Sequence, residues 1–449
     1  MNRFEAIFKA YDVRGTVPDQ FDAEMARAIG AAFAKFAVGE DPAVTQVLVA
    51  RDMRPSGVEM VAAFADGATS QGVDVVDLGL GSTDLLYFAA GSLNAPGAMF
   101  TASHNPAQYN GIKFCLSGAR PVGEDSGLSQ IRDWAAEGLD PIGTKGTVGH
   151  QDVLAAFADH VRSFVDVSGL RPLKVVADTA NGMGGLVVPA VFDSLPFDLE
   201  IMYGELDGTF PNHPADPIQP ENQKDLLARV LEVGADIGLA FDGDADRVFL
   251  VDELGVGLSG STTTAILADS ILKKNPGGKV VHNLICSKSV AEVVREAGGE
   301  PIRSRVGHSF IKQVMADTGA VFGGEHSAHY YFADNYRADS GLIAAVLVLE
   351  QLSIRNITLS ELRKPYERYA ASGEINTVVP DTAEVIERVA AAYAGVSQDR
   401  LDGLTVDGGD WWFNLRPSNT EPLLRLNLEA ATAADVEQRV AEVRSHFGI

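Results

Sequence analysis

The chain has 449 residues, 46% of them hydrophobic, enough for roughly three or four domains of about 100–200 residues. Its formal net charge of −25 argues against nucleic acid and anionic membranes as partners, since both select basic surfaces. Only Cys115 and Cys286 occur, so no disulfide framework is implied. The opening Met1-Asn2-Arg3-Phe4-Glu5 lacks a signal peptide's apolar run, and a cytoplasmic protein is expected.

In chain order, residues 21–37 read as an amphipathic helix, and Val47-Leu48-Val49-Ala50 as a buried strand ending at Arg51-Asp52. Ala98-Met99-Phe100 is an apolar approach to the polar stretch Thr101 to Asn110. Within that stretch Pro106 prevents a regular continuation, and Asn110-Gly111 marks a turn. The strand-then-acid pattern returns as Val175-Val176-Ala177 before Asp178 and as Gly238-Leu239-Ala240-Phe241 before Asp242. A helix, glycine, strand, glycine-loop order occurs from Gly72 to Gly81 and again from Gly298-Gly299 to Gly307. Together these predict a weakly repeated α/β unit with mostly parallel sheet.

Gly138 to Gly149 reads as a boundary, and Pro211 to Pro220 as a boundary or a long loop. The apolar window 341–349 stops at Glu350. It is too short to span a bilayer and reads as a buried helix. Strands near 373–379, 403–406, 411–415 and 423–429, then a helix near 432–446, predict a smaller α+β unit with antiparallel pairing.

Four motifs carry chemistry. Ser103 lies on the first polar loop with His104 and Lys113 close in sequence, as a candidate nucleophile or phosphate carrier; an ordinary polar turn is the alternative. In Asp242-Gly243-Asp244-Ala245-Asp246-Arg247, three carboxylates at alternate positions can converge on one hard cation. An EF-hand would need glycine where Arg247 stands and helices where Val248 to Val251 reads as strand. A divalent metal site and a solvated acidic turn remain. Gly324-Glu325-His326-Ser327-Ala328-His329 suits hydrogen bonding to sugar hydroxyls and proton transfer, although His326 and His329 could also be a zinc pair. In Arg416-Pro417-Ser418-Asn419-Thr420-Glu421-Pro422, a planar cation stands beside short donors, as a phosphate clamp or a capped turn.

In this order the four motifs resemble the α-D-phosphohexomutase family, in its phosphomannomutase/phosphoglucomutase branch. Phe8 to Gly15 and Arg51-Asp52-Met53-Arg54-Pro55-Ser56 strengthen the likeness, which spans essentially the whole chain. The resemblance implies three similar mixed α/β domains and a smaller C-terminal α+β domain around a central cleft. The expected bounds are 1–148 with the phosphoserine loop, 149–257 with the metal loop, 258–368 with the sugar loop and 369–449 with the phosphate loop.

It also implies roles. Ser103 would carry the phosphoryl group, and Asp242, Asp244, Asp246 and a phosphoserine oxygen would hold Mg²⁺. Lys113 and His329 would move protons. Glu325 and Ser327 would bind sugar hydroxyls. Arg416, Ser418, Asn419 and Thr420 would hold the phosphate not in transfer. Tyr11, Arg14, Arg247 and His308 would line the rim, with Arg305 adding local positive charge.

The reaction implied interconverts hexose 1- and 6-phosphates, of mannose and also glucose, through a hexose 1,6-bisphosphate that also serves as activator. His326 departs from the methionine common among relatives. A phosphoglucosamine mutase is the alternative, followed by a metal-dependent sugar phosphatase and a non-catalytic sugar-phosphate sensor.

Overall fold

The computed structural model describes residues 3–417 and 423–448. Its strands form four sheets. In the first, Val47-Leu48-Val49-Ala50 is fully buried inside the strand Gln46–Arg51. That strand pairs in parallel with Asp74–Leu80 on one side and Gly97–Phe100 on the other. Covering on both faces explains its unbroken apolar run. Val148–His150 adds a further parallel strand, which crosses the boundary expected after residue 148. On the opposite side the direction reverses. Gly97–Phe100 runs antiparallel to Tyr109–Leu116, and that strand antiparallel to Val13–Thr16.

The second and third sheets repeat this plan with four strands each. Lys174–Asp178 is parallel to Asp198–Met202 and to Ile237–Phe241, which folds back on Val248–Asp252. Lys279–Asn283 is parallel to Glu300–Ser304 and to Phe322–Gly324, which folds back on Tyr330–Phe332. The expected mostly parallel pairing holds in the second and third sheets, where two of three pairings are parallel, and each of the three sheets ends in antiparallel pairing that the sequence did not reveal. Pro211 to Pro220 is a loop inside the second unit, between the strand Asp198–Met202 and the helix Lys224–Val233.

The fourth sheet is antiparallel, in the order Ala370–Val378, Leu423–Ala430, Trp412–Pro417, Leu404–Asp407, Ser397–Asp399. Besides the helix Ala433–Ser445 it carries a second, Thr382–Ala392, which together with the short polar strand Ser397–Asp399 goes beyond the sequence expectation.

The antiparallel pairings matter because three of the motifs sit between their strands: Thr101 to Gln108, Asp242 to Arg247 and Glu325 to His329 each connect the two strands of one antiparallel pair. Each of the three α/β units thus offers one hairpin connection to the site. The fourth motif begins at the end of Trp412–Pro417, and the rest of it lies outside the described residues.

The helix Gly341–Arg355 is buried without interruption from Gly341 to Leu352. A helix apolar all round belongs in an interior, and each buried Leu, Ile or Val contributes roughly 1.5–3 kcal/mol. Among the described residues no helix is long and apolar enough to cross a membrane. Ser340 caps this helix by accepting from the Ile343 N–H, and its hydroxyl donates to Asp84 at 2.6 Å. Ser82, which caps the helix Thr83–Ser92, donates to the other oxygen of Asp84. One fully buried carboxylate thus ties two helix starts in different sheet units. Burial pushes that carboxyl up to about 7 against the pull of the two serine hydroxyls.

Candidate active site

Ser103 is buried and has φ +48°, a left-handed backbone that is uncommon for serine. Its N–H donates to Thr101 Oγ1 at 2.9 Å, and its Oγ donates to Asp242 Oδ2 at 2.7 Å. Gly243 must be glycine here, because a Cβ would stand 2.4 Å from the Ser103 carbonyl oxygen. Arg247 Nη2 donates to Ser103 Oγ at 3.2 Å and to His104 Nδ1 at 2.6 Å. Burial, then the Arg247 charge, holds His104 well below the usual imidazole range. His104 is therefore a neutral acceptor beside the serine.

The strand Ile237–Phe241 delivers the three aspartates to the same place. Asp242, Asp244 and Asp246 are all buried, and ligand oxygens from the three lie within 4.8 Å of one another. Lys113 Nζ donates to Asp244 at 2.7 Å and to Asp246 at 2.6 Å, while Arg247 Nε donates to Asp242 at 2.9 Å. Thr83 adds two holds on Asp244, hydroxyl to carboxylate at 2.6 Å and N–H to backbone carbonyl at 3.1 Å.

Three carboxylates face two cations, which leaves one negative charge out of water. Asp244 Oδ1 and Asp246 Oδ1 are buried with no hydrogen-bond partner. Hard anionic oxygens left unsatisfied in this way fit a divalent cation such as Mg²⁺. The electrostatics agree. Burial pushes Asp242 well up and its two sister carboxylates add to this, against Arg247. Asp244 is held below the usual range although burial opposes it, because the Lys113 ammonium outweighs that cost. Because the loop joins two antiparallel strands, the EF-hand is ruled out by the fold as well.

The sugar-motif loop packs against this cluster. His329 forms a backbone bridge with Arg247, and its Nε2 lies 3.6 Å from Asp246 Oδ1 and 3.9 Å from Asp339 Oδ2. Ser327 Oγ meets His329 Nδ1 at 3.1 Å. Glu325 is buried and fixed by three donors: Asn283 Nδ2 at 3.0 Å, the Gly307 N–H at 3.2 Å and the Tyr331 hydroxyl at 2.6 Å. The zinc alternative falls away, since His326 Nδ1 pairs with Ser261 Oγ at 2.9 Å and joins no metal cluster among the described residues.

His308 stands edge-on to Tyr11 with ring centres 4.8 Å apart, and its two ring nitrogens are buried without partners. Burial, reinforced by Lys312, holds it well below the usual imidazole range. Arg14 donates to Asp12 and to Asn105 of the serine loop. Arg305 does not join the buried cations; it is exposed, its guanidinium 4.6 Å over the Phe310 ring.

Arg416 ends the Trp412–Pro417 strand and is 5% exposed. It donates to Glu374 at 3.0 Å. Its cross-strand neighbour Arg425 reaches the same carboxylate at 3.5 Å. Both Nε atoms are buried without partners. Ser418, Asn419 and Thr420 lie outside the described residues.

Sequence spacing passed over several residues that the fold brings in. Thr83 and Arg54 support the metal and serine loops. Lys312, four positions after His308 on an amphipathic helix, reads as a surface lysine but is buried, 2.9 Å from Asp339 and 3.6 Å over the Tyr87 ring. The Arg51 to Ser56 motif was the one available signal for Arg54; nothing local marks Thr83.

A buried serine held against three carboxylates that could bind a cation, on three like α/β units beside an antiparallel one, is an arrangement suited to phosphoryl transfer. The chain belongs to the phosphoglucomutase/phosphomannomutase family: residues 5–138 match its alpha/beta/alpha domain I, 155–255 domain II, 259–369 domain III and 374–446 the C-terminal domain.

It is 41% identical over 442 residues to a protein of Xanthomonas campestris pv. campestris named phosphohexose mutases, covering 97% of this chain and 98% of that one. To the phosphomannomutase of Escherichia coli K12 it is 39% identical over 435 residues, covering 94% of each. The crystal structure of a phosphoglucomutase/phosphomannomutase family protein from Burkholderia thailandensis superposes with a TM-score of 0.89 at 32% identity, covering 98% of this chain and 97% of that one.

Proposed function

We propose that the chain interconverts the 1- and 6-phosphates of mannose, and of glucose, by a relay through phospho-Ser103 and a hexose 1,6-bisphosphate. The coarser statement, hexose phosphate mutase, follows from the family and from the names of relatives matched nearly end to end. Those names favour mannose over glucosamine phosphate. The relay is supported above all by Ser103 Oγ, which sits 2.7 Å from Asp242 inside the carboxylate trio.

In this reading the P–O bond of phospho-Ser103 breaks as a new one forms to the free hydroxyl of the sugar phosphate. The hydroxyl proton leaves to His329, and Lys113, held as an ammonium between Asp244 and Asp246, can supply one to the departing Ser103 oxygen. The bisphosphate then turns in the cleft, and Ser103 takes the other phosphoryl group. Mg²⁺ bound by Asp242, Asp244, Asp246 and a phosphoserine oxygen would neutralise charge on the group in transfer. Arg247 orients the serine oxygen and shares its charge. Glu325 and Ser327 bind sugar hydroxyls, while Tyr11, Arg14 and His308 line the approach. Most of the transition-state stabilisation is positioning and charge.

The units 1–148, 149–257, 258–368 and 369–449 would each supply one loop, with hexose 1,6-bisphosphate as activator. Both cysteines are free and buried, which suits a cytoplasmic enzyme. The purified protein with Mg²⁺ and a trace of hexose 1,6-bisphosphate should convert mannose 1-phosphate to the 6-phosphate in a ³¹P spectrum. Inorganic phosphate as the main product would replace the mutase reading by a phosphatase.

Arg416, with Ser418, Asn419 and Thr420, is proposed to hold the distal phosphate, which would displace Glu374 from the guanidinium. A hydrogen bond to a charged group is worth about 1.5–3 kcal/mol, so Arg416→Ala should raise KM roughly ten- to a hundredfold. kcat should fall too, because remote binding energy aligns the reacting end. Steady-state kinetics on both sugar phosphates measure this.

A further inference from the structure

The serine loop rests on a device outside the reacting atoms. Arg54 is fully buried, and its guanidinium donates to four backbone carbonyls of that loop. Nη2 reaches Ser103 at 2.9 Å and Asn105 at 2.7 Å, while Nη1 reaches Pro106 at 2.8 Å and Tyr109 at 2.9 Å. Asp52, also fully buried, aims this fork by accepting from Arg54 Nε at 3.1 Å and from the Arg54 N–H at 2.9 Å. Thr101, beside Asp52, holds the other side of the loop: its Oγ1 accepts from the Ser103 N–H at 2.9 Å.

Both backbone polar groups of Ser103 are therefore held by buried side chains, the N–H by Thr101 and the C=O by Arg54, whose fork Asp52 aims. A non-glycine residue at positive φ is strained and persists only where its surroundings over-determine it. Phe210 of the proline-rich loop closes the back, its ring 5.1 Å from the guanidinium. With no exposed surface Arg54 cannot meet a substrate.

We propose that Asp52, Arg54 and Thr101 form a positioning device that holds Ser103 in its left-handed conformation and thereby aims Oγ at Asp242. The inference rests on the reading of Ser103 as phosphoryl carrier. Arg54→Lys keeps the charge but loses the planar fork. Thr101→Val removes the other arm at nearly constant volume. Each variant should lose about 10²-fold in kcat, the order expected for a misplacement near 1 Å, with KM within about threefold of wild type. Thr101→Ser should restore most of the rate.

A second readout is phosphorylation of Ser103 by glucose 1,6-bisphosphate, followed by intact mass and peptide mapping. Both variants should load the serine slowly. Wild-type loading rate and kcat in folded Thr101→Val would overturn the positioning device, whether or not Arg54→Lys folds. A loss confined to KM would overturn it as well. If wild-type protein active as a mutase carries no phosphate on Ser103 after this treatment, the carrier reading fails instead.

Discussion

Ser103→Ala is expected to lower kcat at least about 10³-fold in both directions of the mutase reaction, because Ser103 supplies the hydroxyl that Asp242 and Arg247 hold together. The fold should survive. The change deletes one hydroxyl and its bonds to Asp242 and Arg247, and those two still pair with each other. The loss of those two buried hydroxyl bonds should lower Tm slightly. Turnover near wild type would remove Ser103 as the carrier. Intact mass after incubation with hexose 1,6-bisphosphate gives the independent check: one added phosphate in wild type and none in the variant.

The second large effect is expected at Asp244. It is the trio member held by Lys113 and by both the N–H and the hydroxyl of Thr83, and its second oxygen is free for a cation. Asp244→Asn keeps the shape and removes the charge. Mg²⁺ affinity should fall at least about 10²-fold by calorimetric titration, with a comparable loss of activity at limiting Mg²⁺, since a hard cation prefers anionic oxygen. Lys113 keeps Asp246 as a partner, so the buried ammonium is not orphaned and the variant should remain folded. Full activity after exhaustive treatment with EDTA would remove the metal from the reading.

Much of this site was legible before any coordinates. The carboxylates at alternate positions and the proline and Asn-Gly in the serine loop carry their chemistry in local spacing. The strand-then-acid pattern also located Asp178 and Asp242 at strand ends. Strand direction was not legible. An apolar run such as Val248 to Val251 reads the same in either direction, so the antiparallel edges that hold the loops escaped the α/β pattern. The supports were hidden for a different reason. Thr83 lies 161 residues from Asp244 and Asp84 lies 256 from Ser340, and such pairings leave no periodicity behind. The direction of Arg305, exposed over Phe310, was hidden too, because charge type says nothing about which way a side chain faces.

The ion pairs of Lys113 impose an order on how the chain is made. Its counter-charges lie 131 and 133 residues further on, in another sheet unit. At a synthesis rate of about 5–20 residues per second they emerge on the order of ten seconds later. Until then an ammonium that is buried in the finished protein has nothing to pair with, and burying it alone would cost several kcal/mol. The nascent first unit must therefore keep its serine hairpin hydrated and open while its apolar core closes. The hairpin can shut only when the aspartate loop arrives, so the site is assembled by the docking of units rather than by the folding of any one of them.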